Sequence, residues 1–353
     1  MQDELYIKKC IELAAKGKGQ TSPNPLVGCV IVKNSKIISE GFHHKFGDKH
    51  AEIDALDKLN QGEAKGATLY VNLEPCSFKG KTPPCTDRII KEGISKVVFG
   101  SNDPNPKVNG KEKLRKAGIK VKVGVLKSVC DRLNQFFFKW IRTGLPYVTI
   151  KIAQTADHFV AYPDGTCPQI TNKKSRTHVH HMRRWYDAVL VGKGTVQNDN
   201  PALTIRHVNG RQPFRLVLDT QAELISSSKK ISTDSHSDKT IWIISEKAKF
   251  KNSKNLQIIK CKATKDKIDL KDMLKKLALN NISSLFVEGG PQIWQSFLDQ
   301  NLVDQIQLFT SKKRFKEGLS TLPKSKITDY SNQKAEARHF GSDEFKKFYL
   351  NLY

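Results

Sequence analysis

The segments HAEIDALDKL (residues 50–59) and EPCSFKGKTPPC (residues 74–85) decide the fold of the first part of this chain. The first segment begins a helix-like apolar pattern with a histidine and a glutamate that are separated by one residue. The second segment follows a strand pattern and carries two cysteines, each placed directly after a proline. A strand that ends at a proline and is followed by a helix pattern is typical of α/β architecture.

The same two segments supply ligands for a metal ion. His50, Cys76 and Cys85 offer an imidazole and two thiolates, and catalytic zinc binds three such ligands while its fourth position stays open to water. Glu52 borders the same cleft, where a carboxylate can take a proton from that water and pass it to a leaving amine. We therefore predict a Zn²⁺ site with these three ligands and hydrolytic deamination with Glu52 as the catalytic residue.

The sequence around these segments alternates between strand and helix patterns. The stretch PLVGCVIVKNSKIISEGFH (residues 25–43) predicts a hairpin around the turn KNSK. Further patterns predict strands over 67–76 and 96–104 and helices over 50–59, 86–93 and 110–118. Gly144 and Pro146 follow this series, and such residues are typical of a break between structural elements. We therefore predict two domains, residues 1–145 and 146–353.

A second series of short apolar runs predicts another sheet with its own core. Strands are predicted over 147–157, 187–195, 214–220, 240–245, 284–290, 305–311 and 348–353, with helices over 175–185 and 270–280. In VEGGPQIWQSFL, a strand runs into Gly289, Gly290 and a helix, a junction that can present backbone N–H groups to a phosphate. Glycines at such a junction also serve close packing, and no G-x-G-x-x-G fingerprint is present.

Composition narrows the class of protein. Apolar residues make up 38% of the sequence, and no run of eighteen consecutive apolar residues occurs. The sequence therefore indicates a globular protein without a membrane span. The N-terminus lacks a signal peptide pattern, so we expect a cytoplasmic protein, in which a cysteine cluster more often binds metal than forms disulfides. The net charge of +25 comes mostly from dispersed lysines without interleaved aromatic residues, which favours phosphorylated small molecules over nucleic acid as partners.

The first half of the chain resembles the pyrimidine deaminase domain of the bifunctional riboflavin biosynthesis proteins. The motifs are HAE and PCSFKGKTPPC, with TSPNPLVG upstream and DPNPKVNGKEKLRKAGI downstream. Zinc deaminases share H-x-E and P-C-x-x-C, and the longer spacing between the cysteines here matches an insert of this family. The resemblance implies that a phosphorylated pyrimidine contacts Asn24, His43, Lys81, Asp103 and Asn105. Asparagines beside prolines, such as Asn24 and Asn105, are also frequent turn formers.

The second half resembles the reductase domain of the same family. The motifs KIAQTADH, DAVLVGKGTVQNDNPALTIR, RQPFRLVLD and LFVEGGP occur in the family's order. The resemblance implies an NADPH-dependent reductase. It also implies an α/β protein with an N-terminal cytidine-deaminase-like three-layer domain and a C-terminal dihydrofolate-reductase-like domain. The sequence departs from the family pattern at His158, Cys167 and Gln169, where the family usually has Gly, Ser and Trp.

The resemblance also assigns residues in the second half. Cofactor positions are Ala153, Gln169, Thr195, Asp199, Thr220, Gly290, Pro291, Gln292, Ile293, Trp294 and Gln295. Substrate positions are Cys167, Arg183, Leu203, Arg206 and Glu288. The two arginines suit a phosphate because a guanidinium can bind it through two hydrogen bonds. An arginine in VHHMRRWYD is equally typical of a solvated helix face.

We predict a two-step enzyme of riboflavin biosynthesis. It would deaminate 2,5-diamino-6-ribosylamino-4(3H)-pyrimidinone 5′-phosphate and then reduce the ribosyl group to ribityl with NADPH; the family also suggests a homo-oligomer. One alternative is a zinc deaminase with a degenerate reductase domain. A nucleic-acid-editing deaminase, which would bind oligonucleotides with a steep salt dependence, and a non-catalytic zinc protein with four protein ligands are the others.

Overall fold

The structure is a computed structural model that describes residues 2–80, 83–206, 208–250, 256–264, 267–321 and 335–351. The chain divides into two compact units between Gly144 and Leu145. In the described part of the chain, no helix combines the length and the apolar character that crossing a bilayer requires.

The first unit is built around one mixed sheet. Its strands are β1 (Gly28–Lys33), β2 (Lys36–Phe42), β3 (Thr68–Leu73), β4 (Lys96–Ser101) and β5 (Lys120–Val123). Its helices are α1 (Gln2–Ala15), α2 (Ala51–Leu56), α3 (Cys85–Lys91), α4 (Gly110–Lys116), α5 (Lys127–Leu133) and α6 (Gln135–Thr143). The strand order is β2-β1-β3-β4-β5; β1 is antiparallel to β2 and β3, and the β3-β4 and β4-β5 pairs are parallel.

The predicted hairpin is confirmed as the β1-β2 pair. Asn34 and Ser35 connect the two strands with positive φ angles of 51° and 60°. Two central residues with positive φ are typical of the type I′ turn, whose twist matches that of the strands. Asparagine tolerates this conformation better than most side chains, so the KNSK sequence selects the turn.

Helices cover both faces of this sheet. On one face, Ile7, Cys10 and Leu13 of α1 pack with Val30 and Val98 of the strands. On the other face, side chains of α2, α3 and α4 form a second core with the opposite sides of β1, β3 and β4. The predicted three-layer arrangement is therefore confirmed.

Two glycines allow backbone approaches that position the candidate site. A Cβ added to Gly41 of β2 would lie 2.4 Å from the carbonyl oxygen of Ala51, in the first turn of α2. A Cβ added to Gly110 would lie 2.1 Å from the carbonyl oxygen of Pro75, the residue before Cys76. Because backbone cannot yield like a flexible side chain, only glycine fits at either contact.

The second unit contains a larger sheet. Its strands are β6 (Tyr147–Gln154), β7 (Phe159–Ala161), β8 (Ala188–Gly192), β9 (Phe214–Leu218), β10 (Thr240–Ser245), β11 (Gln257–Cys261), β12 (Ala263–Thr264), β13 (Lys267–Ile268), β14 (Ser284–Val287), β15 (Gln305–Thr310), β16 (Leu319–Ser320), β17 (Glu336–Phe340) and β18 (Asp343–Tyr349). Its helices are α7 (Lys173–Arg183), α8 (Lys193–Asp199), α9 (Lys230–Thr233), α10 (Leu270–Leu279) and α11 (Pro291–Asp299), with a 3-10 turn at Ser237–Lys239.

The main sheet has the order β11-β10-β9-β8-β14-β6-β15-β18-β17. Neighbouring strands from β11 to β15 are parallel, and β18 and β17 add an antiparallel edge. Two short antiparallel pairs, β12-β13 and β16-β7, lie outside the main sheet. An otherwise parallel sheet brings the carboxyl ends of its strands to one edge, where open α/β sheets bind ligands.

Several strand predictions for this unit were wrong in their bounds, and those over 147–157 and 284–290 run three residues past the ends of β6 and β14. The final strand was predicted over 348–353, but β18 begins at Asp343 and ends at Tyr349. Its sequence DEFKKFY is rich in charged residues, which obscured the strand. The run predicted as a strand over 187–195 ends at Gly192, where α8 begins, because Gly192 is the N-cap residue of that helix.

Candidate functional site

Three elements of the first unit bring the predicted metal ligands together. His50 is the N-cap residue of α2, Cys76 lies beyond the end of β3, and Cys85 is the first residue of α3. Nδ1 of His50 lies 3.5 Å from Sγ of Cys76 and 3.3 Å from Sγ of Cys85. The three ligand atoms all lie within 4.8 Å of one another.

These distances fit a tetrahedral zinc ion. Zinc bonds of about 2.0–2.3 Å at tetrahedral angles would hold a nitrogen and a sulfur ligand about 3.5 Å apart. Among the described residues, this group contains no fourth His, Cys, Asp or Glu ligand. The donor set is therefore that of a catalytic zinc site with an open position, rather than that of a four-ligand structural site.

The polypeptide around Cys76 favours its thiolate. The backbone N–H of Cys85 donates a hydrogen bond to Sγ of Cys76 over 3.3 Å. The Cys85 thiol and His50 lower the pKa of Cys76, although burial opposes this change. A thiolate is the form of cysteine that binds metal, so the surroundings of Cys76 prepare it as a ligand.

Glu52 lies beside the ligands without belonging to their group. Glu52 lies in the first turn of α2 and is only 3% exposed. Burial, followed by the neighbouring Cys76, raises the pKa of Glu52 to about 7. A carboxyl group with a pKa near neutrality can both accept and release a proton during turnover.

Asn24 and His43 form one wall of the site. Nδ1 of His43 faces the carbonyl oxygen of Lys49 at 2.9 Å, so Nδ1 carries the proton. Nε2 of His43 then accepts a hydrogen bond from Nδ2 of Asn24 at 3.1 Å. Burial lowers the pKa of His43, which keeps the ring neutral. Within the described residues, Oδ1 of Asn24 has no hydrogen-bond donor, so it is available to a heterocycle.

Asp103 and Asn105 follow β4, next to the segment that follows β3. Oδ1 of Asp103 accepts the backbone N–H of Asn105 at 2.8 Å, and Oδ1 of Asn105 accepts that of Lys107 at 3.0 Å. Asn105 is thus a turn former, and its substrate contact stays a prediction. Burial raises the pKa of Asp103 to about 6. Lys81 lies outside the described residues.

In the second unit, several predicted cofactor positions and the predicted substrate position Glu288 lie where the parallel strands end. Ala153, Thr220 and Glu288 lie at or just beyond the carboxyl ends of the parallel strands β6, β9 and β14. Thr195 and Asp199 belong to α8, which begins where β8 ends. This placement is the one expected for a ligand site of an open α/β sheet.

The stretch from Gly290 to Gln295 begins α11, with Gly290 as the N-cap residue. A Cβ added to Gly289 or Gly192 would lie 2.7 or 2.6 Å from Cδ1 of Ile293, so these two glycines serve packing. Around Gly290, no described atom lies within 4 Å of an added Cβ, and its φ of −81° suits any residue. The fold therefore leaves open space at Gly290. Trp294 packs into the core instead.

Arg183 and Glu288 form a bidentate ion pair. Nε and Nη2 of Arg183 donate to the two carboxylate oxygens of Glu288 at 2.5 and 3.0 Å. Nη1 of Arg183 also donates to the carbonyl oxygen of Thr204 at 3.1 Å. Burial alone would raise the pKa of Glu288, but the Arg183 charge, the hydrogen bonds and nearby Lys151 lower it. Glu288 is therefore a charged carboxylate at neutral pH.

Other predicted substrate and cofactor residues are exposed, namely Cys167, Gln169, Asp199 and Arg206. Arg206 is exposed and lines an open cleft with His181 and Arg184. Cys167 and Asp199 line another cleft. Gln169 is exposed, and its backbone carbonyl accepts a hydrogen bond from Nζ of Lys313.

Two features of this unit were missed from the sequence. Lys151 lies within electrostatic reach of Glu288 and Arg183, and burial lowers its pKa. A lysine within the apolar strand YVTIKIAQ was the available signal. The second feature is the backbone conformation of Leu203, a predicted substrate position that is buried with a positive φ of 53°. The buried guanidinium of Arg215 supports this turn by donating to the carbonyl oxygen of Ala202 at 3.0 Å.

Two protein-family models match the chain. The model for the cytidine and deoxycytidylate deaminase zinc-binding region matches residues 1–101. The model for the RibD C-terminal domain matches residues 146–313. The first match contains the three candidate zinc ligands and Glu52, and the second contains the Arg183–Glu288 pair.

Similar proteins cover nearly the whole chain. The riboflavin biosynthesis protein RibD of Aquifex aeolicus is 46% identical over 324 residues, which span 90% of this chain and 89% of that protein. The chain belongs to the RibD family. The RibD protein of Escherichia coli K12 is 36% identical over 97% of this chain and 98% of its own length.

A solved structure from Thermotoga maritima shares the fold, with a TM-score of 0.86 and 37% identity over 99% of this chain and 98% of that one. That protein is described as a diaminohydroxyphosphoribosylaminopyrimidine deaminase/5-amino-6-(5-phosphoribosylamino)uracil reductase. The predicted fold class and family are confirmed. This RibD family member is a zinc-dependent deaminase and an NADPH-dependent reductase of riboflavin biosynthesis, as predicted.

Proposed function

We propose that residues 1–145 deaminate 2,5-diamino-6-ribosylamino-4(3H)-pyrimidinone 5′-phosphate and that residues 146–353 reduce the ribosyl group of the product to ribityl. The observation that carries the first half is the His50, Cys76 and Cys85 triad with buried Glu52 beside it. The substrate is the one that fits the described activity of the Thermotoga maritima relative.

His50, Cys76 and Cys85 would hold the zinc ion, which when bound lowers the pKa of a water molecule. Glu52 takes a proton and delivers it to the leaving amine, and its pKa of about 7 suits both transfers. Asn24 presents an amide to the edge of the pyrimidine, with His43 fixing its orientation. Asp103, Asn105 and Lys81 complete the contacts to the pyrimidine and the ribose phosphate.

In the second unit, NADPH would supply the hydride. The open space at Gly290 admits the cofactor close to backbone N–H groups at the start of α11. Ala153, Gln169, Thr195, Asp199, Thr220 and residues 290–295 form its binding surface. Cys167, Arg183, Leu203, Arg206 and Glu288 hold the substrate, and the ion pair keeps the Glu288 carboxylate charged and oriented.

We also propose a cytoplasmic homo-oligomer that acts on small molecules and not on nucleic acid. The excess positive charge is mostly lysine spread over the chain, which does not build a base-stacking surface. The same charge would attract phosphorylated pyrimidines from solution. Analytical ultracentrifugation and oligonucleotide binding at increasing salt concentration would test these two points.

The experiment is incubation of the purified protein with the pyrimidine substrate, with and without NADPH. Without NADPH, we expect ammonia release and accumulation of the deaminated ribosyl product. With NADPH, we expect one equivalent of NADPH to be oxidised for each ammonia released. Ammonia release without any NADPH oxidation or binding would identify a deaminase with a degenerate second domain, and absence of ammonia release would contradict the deaminase proposal.

A further inference from the structure

Two buried asparagines, Asn72 and Asn134, form hydrogen bonds to the segment that follows Asn24. Asn134 accepts the backbone N–H of Leu26 at 2.7 Å through Oδ1 and donates to its carbonyl oxygen at 2.9 Å through Nδ2. Asn72 donates to the same carbonyl oxygen at 2.9 Å and accepts the N–H of Gly28 at 2.8 Å. Both asparagine residues are at most 2% exposed. Their amides therefore fix both backbone groups of Leu26.

This segment connects directly to the two wall residues of the deaminase site. Asn24 lies two residues before Leu26, and its side chain contacts His43. The carbonyl oxygen of Val27 accepts the backbone N–H of His43 at 2.9 Å. A displacement at Leu26 would thus reach both Asn24 and His43.

Asn134 comes from a part of the chain remote from the zinc motif. It lies between α5 and α6, 108 residues from Leu26 in sequence. The family model for the zinc-binding region ends at residue 101, so Asn134 lies outside the matched core. It is also absent from the metal-ligand group.

We propose that Asn134 is a positioning residue of the deaminase, which holds Leu26 so that Asn24 and His43 meet the pyrimidine. This inference rests on the proposed substrate role of Asn24 and His43. Within the described residues, the side chain of Asn134 forms hydrogen bonds to the backbone of Leu26 and none to the three metal ligands or Glu52. Its loss should therefore weaken substrate binding while zinc and the proton-transfer group stay in place.

The test compares deamination and reduction in one protein sample. Asn134→Leu has a similar side-chain size but removes the hydrogen bonds to Leu26. We expect deaminase kcat/KM to fall about ten- to a hundredfold, mainly through a higher KM, because the part-buried N–H of Leu26 loses its partner and the carbonyl oxygen keeps only Asn72. Zinc content and reductase kcat/KM should stay at the wild-type values. Asn134→Asp, which keeps the acceptor for the Leu26 N–H, should recover part of the loss.

Val97→Ala is the matched control, because it removes buried side-chain volume near the start of β4, at the end of the strand away from Asp103. It should lower the melting temperature and leave deaminase KM unchanged. If Asn134→Leu behaves like this control, or if both Asn134 variants lose zinc together with activity, Asn134 supports only the fold and the inference is overturned.

A double-mutant cycle separates this inference from the proposed function. Asn24→Ala should raise deaminase KM, and its effect should combine with that of Asn134→Leu by less than the product of the two. If Asn24→Ala has no effect, the proposed substrate role fails and the inference falls with it. If Asn24→Ala weakens binding while Asn134→Leu leaves it unchanged, the inference alone is wrong.

Discussion

The two units assemble their candidate sites over different sequence distances. In the first unit, His50 and Cys85 are 35 residues apart and meet at the starts of two short helices. In the second unit, Arg183 and Glu288 are 105 residues apart and meet at the carboxyl end of β14, a central strand of the large sheet. A site built from two nearby motifs is visible in a sequence, whereas a site built from many strand ends depends on the topology that gathers them.

The surroundings of a buried glutamate shift its pKa in opposite directions in the two sites. No cationic side chain among the described residues is bonded to Glu52, and burial raises its pKa to about 7. Glu288 is bound by Arg183, and its pKa is lowered below the ordinary value. The first carboxyl group can exchange protons near neutral pH, and the second stays charged. One environment suits acid–base chemistry, and the other suits binding and orientation.

The largest expected effect tests the proton-transfer side of this comparison. Glu52→Gln keeps the size of the side chain but cannot exchange a proton. We expect deamination kcat to fall by about 10²–10⁴-fold, the usual range for a general acid–base group. Zinc content and reduction should not change, and Glu112→Gln, at a half-exposed side chain, serves as the control. Turnover near the wild-type rate in Glu52→Gln would remove Glu52 from the mechanism.

The next effect tests the charged pair of the second unit. Arg183→Ala leaves the Glu288 carboxylate buried without its partner, which should cost about 3 kcal/mol of stability in that unit. Reductase kcat/KM should fall about tenfold to a hundredfold, because the proposed contact of Arg183 with the substrate, a charge-assisted hydrogen bond of about 1.5–3 kcal/mol, is lost. Arg115→Ala breaks an exposed pair with Glu112 and should cost less than about 1 kcal/mol. Equal effects of the two substitutions in denaturant unfolding would contradict the assigned role of the pair.

Deamination should lose activity at a higher pH than reduction does, because the pKa of Glu52 is raised and that of Glu288 is lowered. Deamination needs ionised Glu52, so its kcat/KM should fall about tenfold per pH unit below pH 7, where the carboxyl group becomes protonated. Reduction depends on ionised Glu288, whose lowered pKa keeps the charge to lower pH. At pH 6 we therefore expect deamination to be reduced and reduction to be retained. Parallel acid limbs for both activities, with the fold intact by circular dichroism, would show that the two glutamates do not set them.

The smallest expected effect concerns His158, where the sequence departs from the family pattern. Its φ of 68° lies in the left-handed region, which costs a non-glycine residue about 1 kcal/mol or more. His158→Gly should raise the free energy of unfolding of the second unit by up to about 1 kcal/mol, because glycine adopts this conformation without strain. His158→Ala keeps the strain and should give no gain. A gain in the alanine variant of the same size would place the effect in the side chain and not in the backbone.

The sequence singled out His50, Cys76 and Cys85, which the structure brings together, and Glu52 beside them, since all four belong to motifs whose chemistry is specific. Asn134 was missed because a single asparagine between two helices has no signal until the fold brings it to Leu26. The Arg183–Glu288 pair could not be predicted either, because its geometry depends on packing α7 against the end of β14. The bounds of β18 were predicted poorly, since its charged residues hide the strand alternation.

The central claim is that the two chemistries are carried by separate sites of one chain. The most direct measurement is NADPH oxidation by zinc-depleted protein supplied with the already deaminated pyrimidine. We expect reduction at the rate of the zinc-loaded protein, with deamination abolished in the same sample and restored by added zinc. Loss of reduction on removal of zinc, with recovery when zinc is returned, would show that reduction depends on the zinc site.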